Sequence, residues 1–133
     1  MNTVATIKNS LQQNDIVVET DGNKKQITIP CKPVGQGSSV NGAELLFLSL
    51  ATCFCNDIYR EAARRNIIIQ SVEVTVSGEF GKEGEPASRI GYTTNIQSMA
   101  SQHVIKDLVE HVDKIAEIHN TLRKGIDITL STE

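Results

Sequence analysis

Hydrophobic and polar residues alternate along three parts of the chain, which is the pattern of strands that bury one face. In the first part, residues 16–20 (IVVET) and 26–30 (QITIP) flank Asp21 and Gly22. Glycine readily adopts the positive φ that a tight hairpin turn requires. The pattern therefore predicts an N-terminal β-hairpin.

The second alternating part begins at residue 70, where valines occupy positions 72, 74 and 76. A polar turn follows, and residues 89–98 (RIGYTTNIQS) form another long β-rich run. We expect these two runs to pair as antiparallel strands. The third part, residues 126–132 (IDITLST), predicts a C-terminal strand.

Residues 42–65 indicate a long helix instead. Asn41 and Glu44 have the spacing of an N-cap residue and its N3 partner in a capping box. The first half of the helix is apolar on nearly all sides, so it must be enclosed all round. A second, amphipathic helix is predicted over residues 101–118, and a short segment, residues 119–125, leads from it into the final strand.

The element order predicts an α+β fold in one domain spanning residues 1–133: hairpin, long buried central helix, antiparallel strands, second helix, C-terminal strand. The apolar helix is hard to cover with one thin domain of this kind, so we also expect an oligomer that encloses it. The formal net charge of −3 and the lack of a basic tract argue against nucleic acid as a partner.

The apolar stretch 45–55 is shorter than the roughly 20 residues of a membrane span, so we expect no membrane partner. The N-terminus lacks a signal-type segment, so we expect a cytoplasmic location.

The chain has three cysteines, Cys31, Cys53 and Cys55, an odd number that cannot form a complete disulfide framework. On a helix, Cys53 and Cys55 are separated by about 200° of rotation, which prevents a disulfide or a two-cysteine metal clip. The helix face of Cys53 is the more polar one. It carries Arg60, which would favour a thiolate, and Asp57, which would oppose it. Reactive thiol and core packing both remain open, and we predict neither a metal site nor a cofactor.

The three histidines, His103, His111 and His119, recur every eight residues. On one helix, this spacing corresponds to a rise of about 12 Å, too long for a shared metal ion. We predict that all three lie at the surface or at its boundary.

Residues 41–80 (NGAELLFLSLATCFCNDIYREAARRNIIIQSVEVTVSGEF) resemble the central segment of the OsmC/Ohr family of organic hydroperoxide reductases. The family word is Glu-Leu-Leu followed by a cysteine nine positions after the Glu, and Glu44, Leu45, Leu46 and Cys53 match it. The C-terminal residues 119–132 resemble the closing turn and strand of the family. The resemblance implies an OsmC-like fold and an intertwined homodimer in which two central helices are wrapped by sheets from both chains.

The resemblance also implies that Cys53 is the peroxidatic cysteine, which attacks a peroxide and becomes a sulfenic acid. This chain departs from the family pattern at three places. Ala116 occupies the position of the resolving cysteine, Ala43 that of a glutamate, and the family's N-terminal arginine is missing, because the first arginine is Arg60. Candidates to replace that cation are Lys24, Lys25 and Lys32.

Two functions follow from these matches and departures. The first is a one-cysteine peroxidase that uses Cys53, a small hydroperoxide and an external thiol reductant. The alternative is a catalytically degenerate protein that binds a hydrophobic small molecule in the dimer cleft. The secondary candidate site residues are Cys55, Cys31 and Arg60.

Overall fold

The computed structural model describes residues 1–131. The chain forms two compact units, Met1–Leu45 and Leu46–Glu133, and the expectation of one domain remains a prediction. The elements in chain order are β1 (Thr3–Ser10), β2 (Gln13–Thr20), β3 (Asn23–Ile27), α1 (Gly42–Arg64), β4 (Ile69–Phe80), β5 (Ala87–Ser98), α2 (Gln102–Ile115) and α3 (Glu117–Lys124).

The first unit contains an antiparallel sheet in the order β1-β2-β3. The predicted hairpin turn is confirmed, with φ values of 48° at Asp21 and 85° at Gly22. The capping box is also confirmed. The backbone N–H of Glu44 donates to Oδ1 of Asn41 over 2.8 Å, and that of Asn41 donates to Oε1 of Glu44 over 3.0 Å. The start of α1 is therefore determined by residues close together in the sequence.

The second unit contains the antiparallel pair β4-β5, as predicted, together with most of α1 and the helices α2 and α3. Side chains one turn apart on each helix supply the core. Phe54 is fully buried, and its ring packs edge-on against Tyr92 of β5 at a centroid distance of 4.9 Å. The buried core residues are Phe54, Ile58, Ala62, Leu108, Val112 and Ala116.

Helix α1 ends close to the predicted residue, but in the single chain it buries one stripe rather than all sides. Leu50, Phe54 and Ile58 are buried, whereas Leu48 is 59% exposed and Leu45 is also exposed. In the single chain the helix is therefore not enclosed on all sides, and its enclosure in an oligomer stays a prediction. No helix in residues 1–131 is long and apolar enough to cross a membrane.

The second helix is shorter than predicted, because the chain turns at Ala116, whose ψ of 111° is extended rather than helical. A third helix, α3, contains the last two residues of the predicted second helix and most of the short segment after it, and it ends at Gly125 in the left-handed conformation. Residues 126–131 do not form the predicted C-terminal strand within the single chain, and Thr132 lies outside the described residues. A strand requires a neighbour for its backbone groups, and neither β4 nor β5 pairs with this segment here.

Candidate functional site

The thiol of Cys53 lies between two carboxylates at the junction of α1 and α3. Its Sγ is 4.0 Å from Oδ2 of Asp57 and 3.9 Å from Oε2 of Glu117. Asp57 is one helical turn further along α1, as the spacing predicted. Glu117 is the first residue of α3 and is 64 positions away in the sequence. Cys53 is half-buried.

Helix α3 presents its N-terminus to the thiol because the chain turns at the fully buried Ala116. The first backbone N–H groups of a helix have no partner within the helix and carry partial positive charge. Those of Ile118 and Glu117 interact with Cys53 and act to lower the pKa of its thiol. The site therefore includes one feature that favours a thiolate.

The opposing effects are stronger, and the pKa of Cys53 is raised above its ordinary value. Burial is the largest cause, since it penalises the charged form, and the negative charges of Asp57 and Glu117 raise the pKa further. At neutral pH the sulfur is therefore mainly a protonated thiol.

Arg60 does not supply the cation that its position on the helix suggested. Its Nη1 lies 2.7 Å from Oδ1 of Asp57, and its Nε lies 3.6 Å from Oε2 of Glu61. The guanidinium therefore neutralises buried carboxylates of α1 rather than contacting the Cys53 sulfur.

The other two cysteines lie apart from this cluster. Cys55 lines a shallow groove with Ala51, Thr52, Asn56 and Val74, which confirms that Cys53 and Cys55 lie on different faces of α1. Cys31 belongs to the first unit and forms an isolated β-bridge with Ser38. All three cysteines are free thiols and half-buried.

The ligand atoms of Cys53, Asp57 and Glu117 lie within 4.8 Å of one another. One thiol and two carboxylates do not match the usual three-ligand sets of catalytic zinc, which are rich in histidine or combine two cysteines with one histidine. We therefore assign no metal to this cluster.

His119 corrects the prediction that all three histidines are superficial. It is only 5% exposed, and its ring packs against Phe54 and Tyr92 at centroid distances of 5.7 and 4.7 Å. Neither ring nitrogen has a hydrogen-bond partner among the described residues. By contrast, His103 is exposed, and His111 is partly exposed and contacts Glu61.

A groove of about 310 Å³ lies beside His119, between α1, α3 and the β4-β5 pair. Its walls are mainly apolar, and two arginines lie among its lining residues. Each arginine pairs with an acid outside the lining, Arg89 with Glu79 and Arg123 with Asp113. The lining residues are Leu50, Val76, Ala87, Arg89, Ile90, Tyr92, His119, Leu122 and Arg123.

Sequence reasoning missed two residues of this region, Glu117 and His119. The contact between Glu117 and Cys53 joins two helices, and no local pattern indicates it. A helix break at Ala116 would have been the useful signal, since it changes the direction of every later side chain.

The chain is similar to several solved structures over almost its whole length. An OsmC-like protein from Mycoplasma pneumoniae is 21% identical with a TM-score of 0.67, and the match covers 94% of this chain and 91% of the other. An organic hydroperoxide resistance protein OsmC from Legionella pneumophila is 22% identical with a TM-score of 0.58, covering 96% and 93%. The organic hydroperoxide resistance protein OhrB of Bacillus subtilis is 21% identical with a TM-score of 0.56, covering 96% and 94%.

At these identities, the similarity to solved structures establishes the fold alone. No curated protein matches the sequence. The model of the family described as OsmC-like protein matches residues 35–131, a range that contains Cys53, Ala116 and Glu117. The match spans well over half of the chain and agrees with the fold of the solved structures, so the chain belongs to the OsmC-like protein family and has the OsmC-like fold.

Proposed function

We propose that this protein is a one-cysteine thiol peroxidase that reduces small organic hydroperoxides at Cys53. The observation that carries the proposal is the half-exposed Cys53 thiol at the N-terminus of α3, at the cysteine position of the family word. Two family members of the same fold are named for organic hydroperoxide resistance, which supports the substrate class.

In the first half of the cycle, the sulfur of Cys53 attacks the distal oxygen of the hydroperoxide. The S–O bond forms, the O–O bond breaks, and the products are a sulfenic acid and an alcohol. An external thiol then attacks the sulfenic sulfur, giving a mixed disulfide and water. A second external thiol releases the Cys53 thiol and leaves as a disulfide. This route needs no cysteine at Ala116.

The electrostatics of the site limit the rate of such an enzyme. A thiolate is a far better nucleophile than a thiol, and burial raises the pKa of Cys53. The thiolate fraction of Cys53 is therefore small at neutral pH, so direct attack by the thiolate is slow there.

The direct test is oxidation of the reduced protein by cumene hydroperoxide, followed by mass spectrometry with a sulfenic-acid trap. We expect a sulfenic acid, or a mixed disulfide when glutathione is present, at Cys53 in the wild type and in Cys55→Ser. Cys53→Ser should lose the trapped product. If Cys31 and Cys55 are oxidised as fast as Cys53, the proposal is wrong.

We also propose that the protein functions as a homodimer. Leu45 and Leu48 of α1 are exposed in the single chain, and so are Ile126, Ile128 and Leu130 near its end. These exposed apolar side chains support the proposal, because a second copy of the chain could bury them. Sedimentation velocity should show a dimer at micromolar concentration, and a stable folded monomer would reject this part of the proposal.

A second function is supported by the groove beside His119. Its apolar walls fit a hydrophobic small molecule, and the unpartnered ring nitrogens of His119 offer a donor and an acceptor nearby. Native mass spectrometry of the freshly purified protein should then show a retained ligand that His119→Phe reduces. An empty protein with rapid hydroperoxide turnover would exclude this function.

A further inference from the structure

We propose that Glu117 is a catalytic proton relay, which takes the proton of the Cys53 thiol and passes it to the leaving oxygen of the hydroperoxide. This inference rests on the proposed peroxidase function and assigns a residue to it. The distance of 3.9 Å between Oε2 of Glu117 and Sγ of Cys53 is within hydrogen-bond reach for sulfur.

A protonated thiol creates the need for such a group. When a thiol rather than a thiolate attacks, its proton must leave the sulfur, and the departing alkoxide must gain a proton. A carboxylate beside the sulfur can do both within one reaction step. The relay therefore allows Cys53 to react at a pH where little thiolate is present.

The two carboxylates at the thiol differ in their capacity for this role. Asp57 is buried, and its Oδ1 is already engaged in an ion pair with Nη1 of Arg60 at 2.7 Å. Glu117 is exposed, and among residues 1–131 its carboxylate makes no other hydrogen bond or ion pair. Its position at the start of α3 is fixed by the buried Ala116. Glu117 is thus the carboxylate that is free to accept a proton and to reach a bound hydroperoxide.

In the relayed step, the thiol proton moves to the Glu117 carboxylate while the sulfur lone pair forms the S–O bond. The O–O bond breaks, and its electron pair goes to the alkoxide oxygen. Glu117 then donates the proton to that oxygen, so that the alcohol leaves and the carboxylate is restored. Sulfur is oxidised by two electrons and the hydroperoxide is reduced by two, so atoms and electrons balance.

A purely electrostatic role for Glu117 can be distinguished from a relay by the effect of removing its charge on the reaction rate. The negative charge of Glu117 disfavours the thiolate of Cys53. The charged side chains at the thiol are Asp57 and Glu117, and Arg60 is paired to Asp57. The buried His119 follows two residues after Glu117, in the first turn of α3. If charge alone matters, removing that of Glu117 increases the thiolate fraction and the rate. If Glu117 relays the proton, removing its carboxylate slows the reaction at neutral pH.

The test is single-turnover oxidation of Cys53 by cumene hydroperoxide as a function of pH, in the wild type, Glu117→Gln, Glu117→Asp and Glu83→Gln. Glu83→Gln removes one charge in the exposed turn between β4 and β5 and controls for net charge. We expect a flat rate in the wild type between about pH 6 and pH 8, where carboxylates are ionised and thiols largely protonated. Glu117→Gln should be at least about tenfold slower at pH 7, with a rate that rises about tenfold per pH unit.

Glu117→Asp should recover part of the rate, and Glu83→Gln should match the wild type. An equal or faster rate in Glu117→Gln, with an active wild type, would overturn the relay and leave the proposed function standing. A wild type in which Cys53 is not oxidised at all would reject the proposed function and the relay together.

Discussion

Nε2 of His111 on α2 lies 2.9 Å from Oε1 of the buried Glu61 on α1. This contact is the main cause that lowers the pKa of Glu61. Burial acts against it, and Arg64 and Arg60 lower the pKa further. The network joins the polar half of α1 to the neighbouring helix, at a position where an isolated buried carboxylate would be costly.

The first prediction concerns acid stability. The folded-state pKa of Glu61 lies below the unfolded value of about 4.3. Its stabilising contribution is therefore present above about pH 4.3 and is lost as the pH falls through the folded-state pKa. Urea denaturation of Glu61→Gln should show lower stability than the wild type at pH 7, with a difference that shrinks toward pH 3. A constant difference over this range would contradict the linkage.

A second prediction uses two glycines of the β4-β5 pair. A Cβ added at Gly78 would lie 2.8 Å from Cζ of Phe47 and 3.1 Å from Cγ1 of Ile90, whereas a Cβ at Gly91 would meet nothing within 4 Å. Gly78→Ala should therefore destabilise the protein by about 1–3 kcal/mol through overpacking. Gly91→Ala should be neutral or stabilising by less than about 1 kcal/mol. Equal urea midpoints for the two variants would show that Phe47 moves aside without cost.

The third prediction tests the start of α1. Asn41→Ala removes the side chain that accepts from the Glu44 amide, and it should lower the free energy of unfolding by about 1 kcal/mol. Asn41→Ser retains a side-chain acceptor and should recover most of that loss. Thermal unfolding followed by circular dichroism measures both. A serine variant as unstable as the alanine variant would mean that the capping hydrogen bond is not what stabilises this end of the helix.

The fourth prediction concerns His119. Burial lowers the pKa of His119, and the cation of Arg123 lowers it further. The negative charges of Asp113 and Asp57 act in the opposite direction. Tyr92 of β5 packs against the imidazole ring. Because the folded-state pKa lies below the unfolded value of about 6.5, the protein should lose stability as the pH falls below about 6.5.

His119→Phe keeps an aromatic ring while it removes two nitrogens that have no hydrogen-bond partner within residues 1–131. We expect it to stabilise the protein by about 1 kcal/mol at pH 7 and to reduce the loss of stability between pH 6.5 and pH 5, measured by urea denaturation. His103→Gln changes an exposed histidine and is the matched control, with little effect at any pH. A His119→Phe variant with the same pH dependence as the wild type would exclude His119 as its source.

The sequence predicted those elements whose determinants are close together along the chain. Asp21 and Gly22 form their own turn, Asn41 and Glu44 form their own cap, and the alternating valines identify β4. The region after α2 could not be predicted in the same way. The amphipathic pattern continues through Ala116, although the backbone turns there. Because of that turn, the side chain of His119 is buried.

In the candidate site too, the sequence predicted only the contacts between residues that are close together along the chain. Asp57 was predicted to oppose a Cys53 thiolate because it is one turn away on the same helix. Arg60 was expected to help the thiolate, but it pairs with Asp57, since a nearby carboxylate competes more strongly for a guanidinium than a thiol does. Glu117 reaches the sulfur only through the packing of α3 against α1, and that packing is a property of the tertiary fold.

The protonated state of Cys53 has a practical consequence for chemical-probe experiments. Iodoacetamide and maleimide reagents react with thiolates, so a survey at neutral pH will label Cys53 slowly even if it is the functional residue. Low occupancy would then reflect the raised pKa of the thiol, which burial causes first and the two neighbouring carboxylates increase, and would not show that Cys53 lacks a function. Probe surveys that rank cysteines by labelling rate at one pH will overlook thiols of this kind, and a pH series will reveal them.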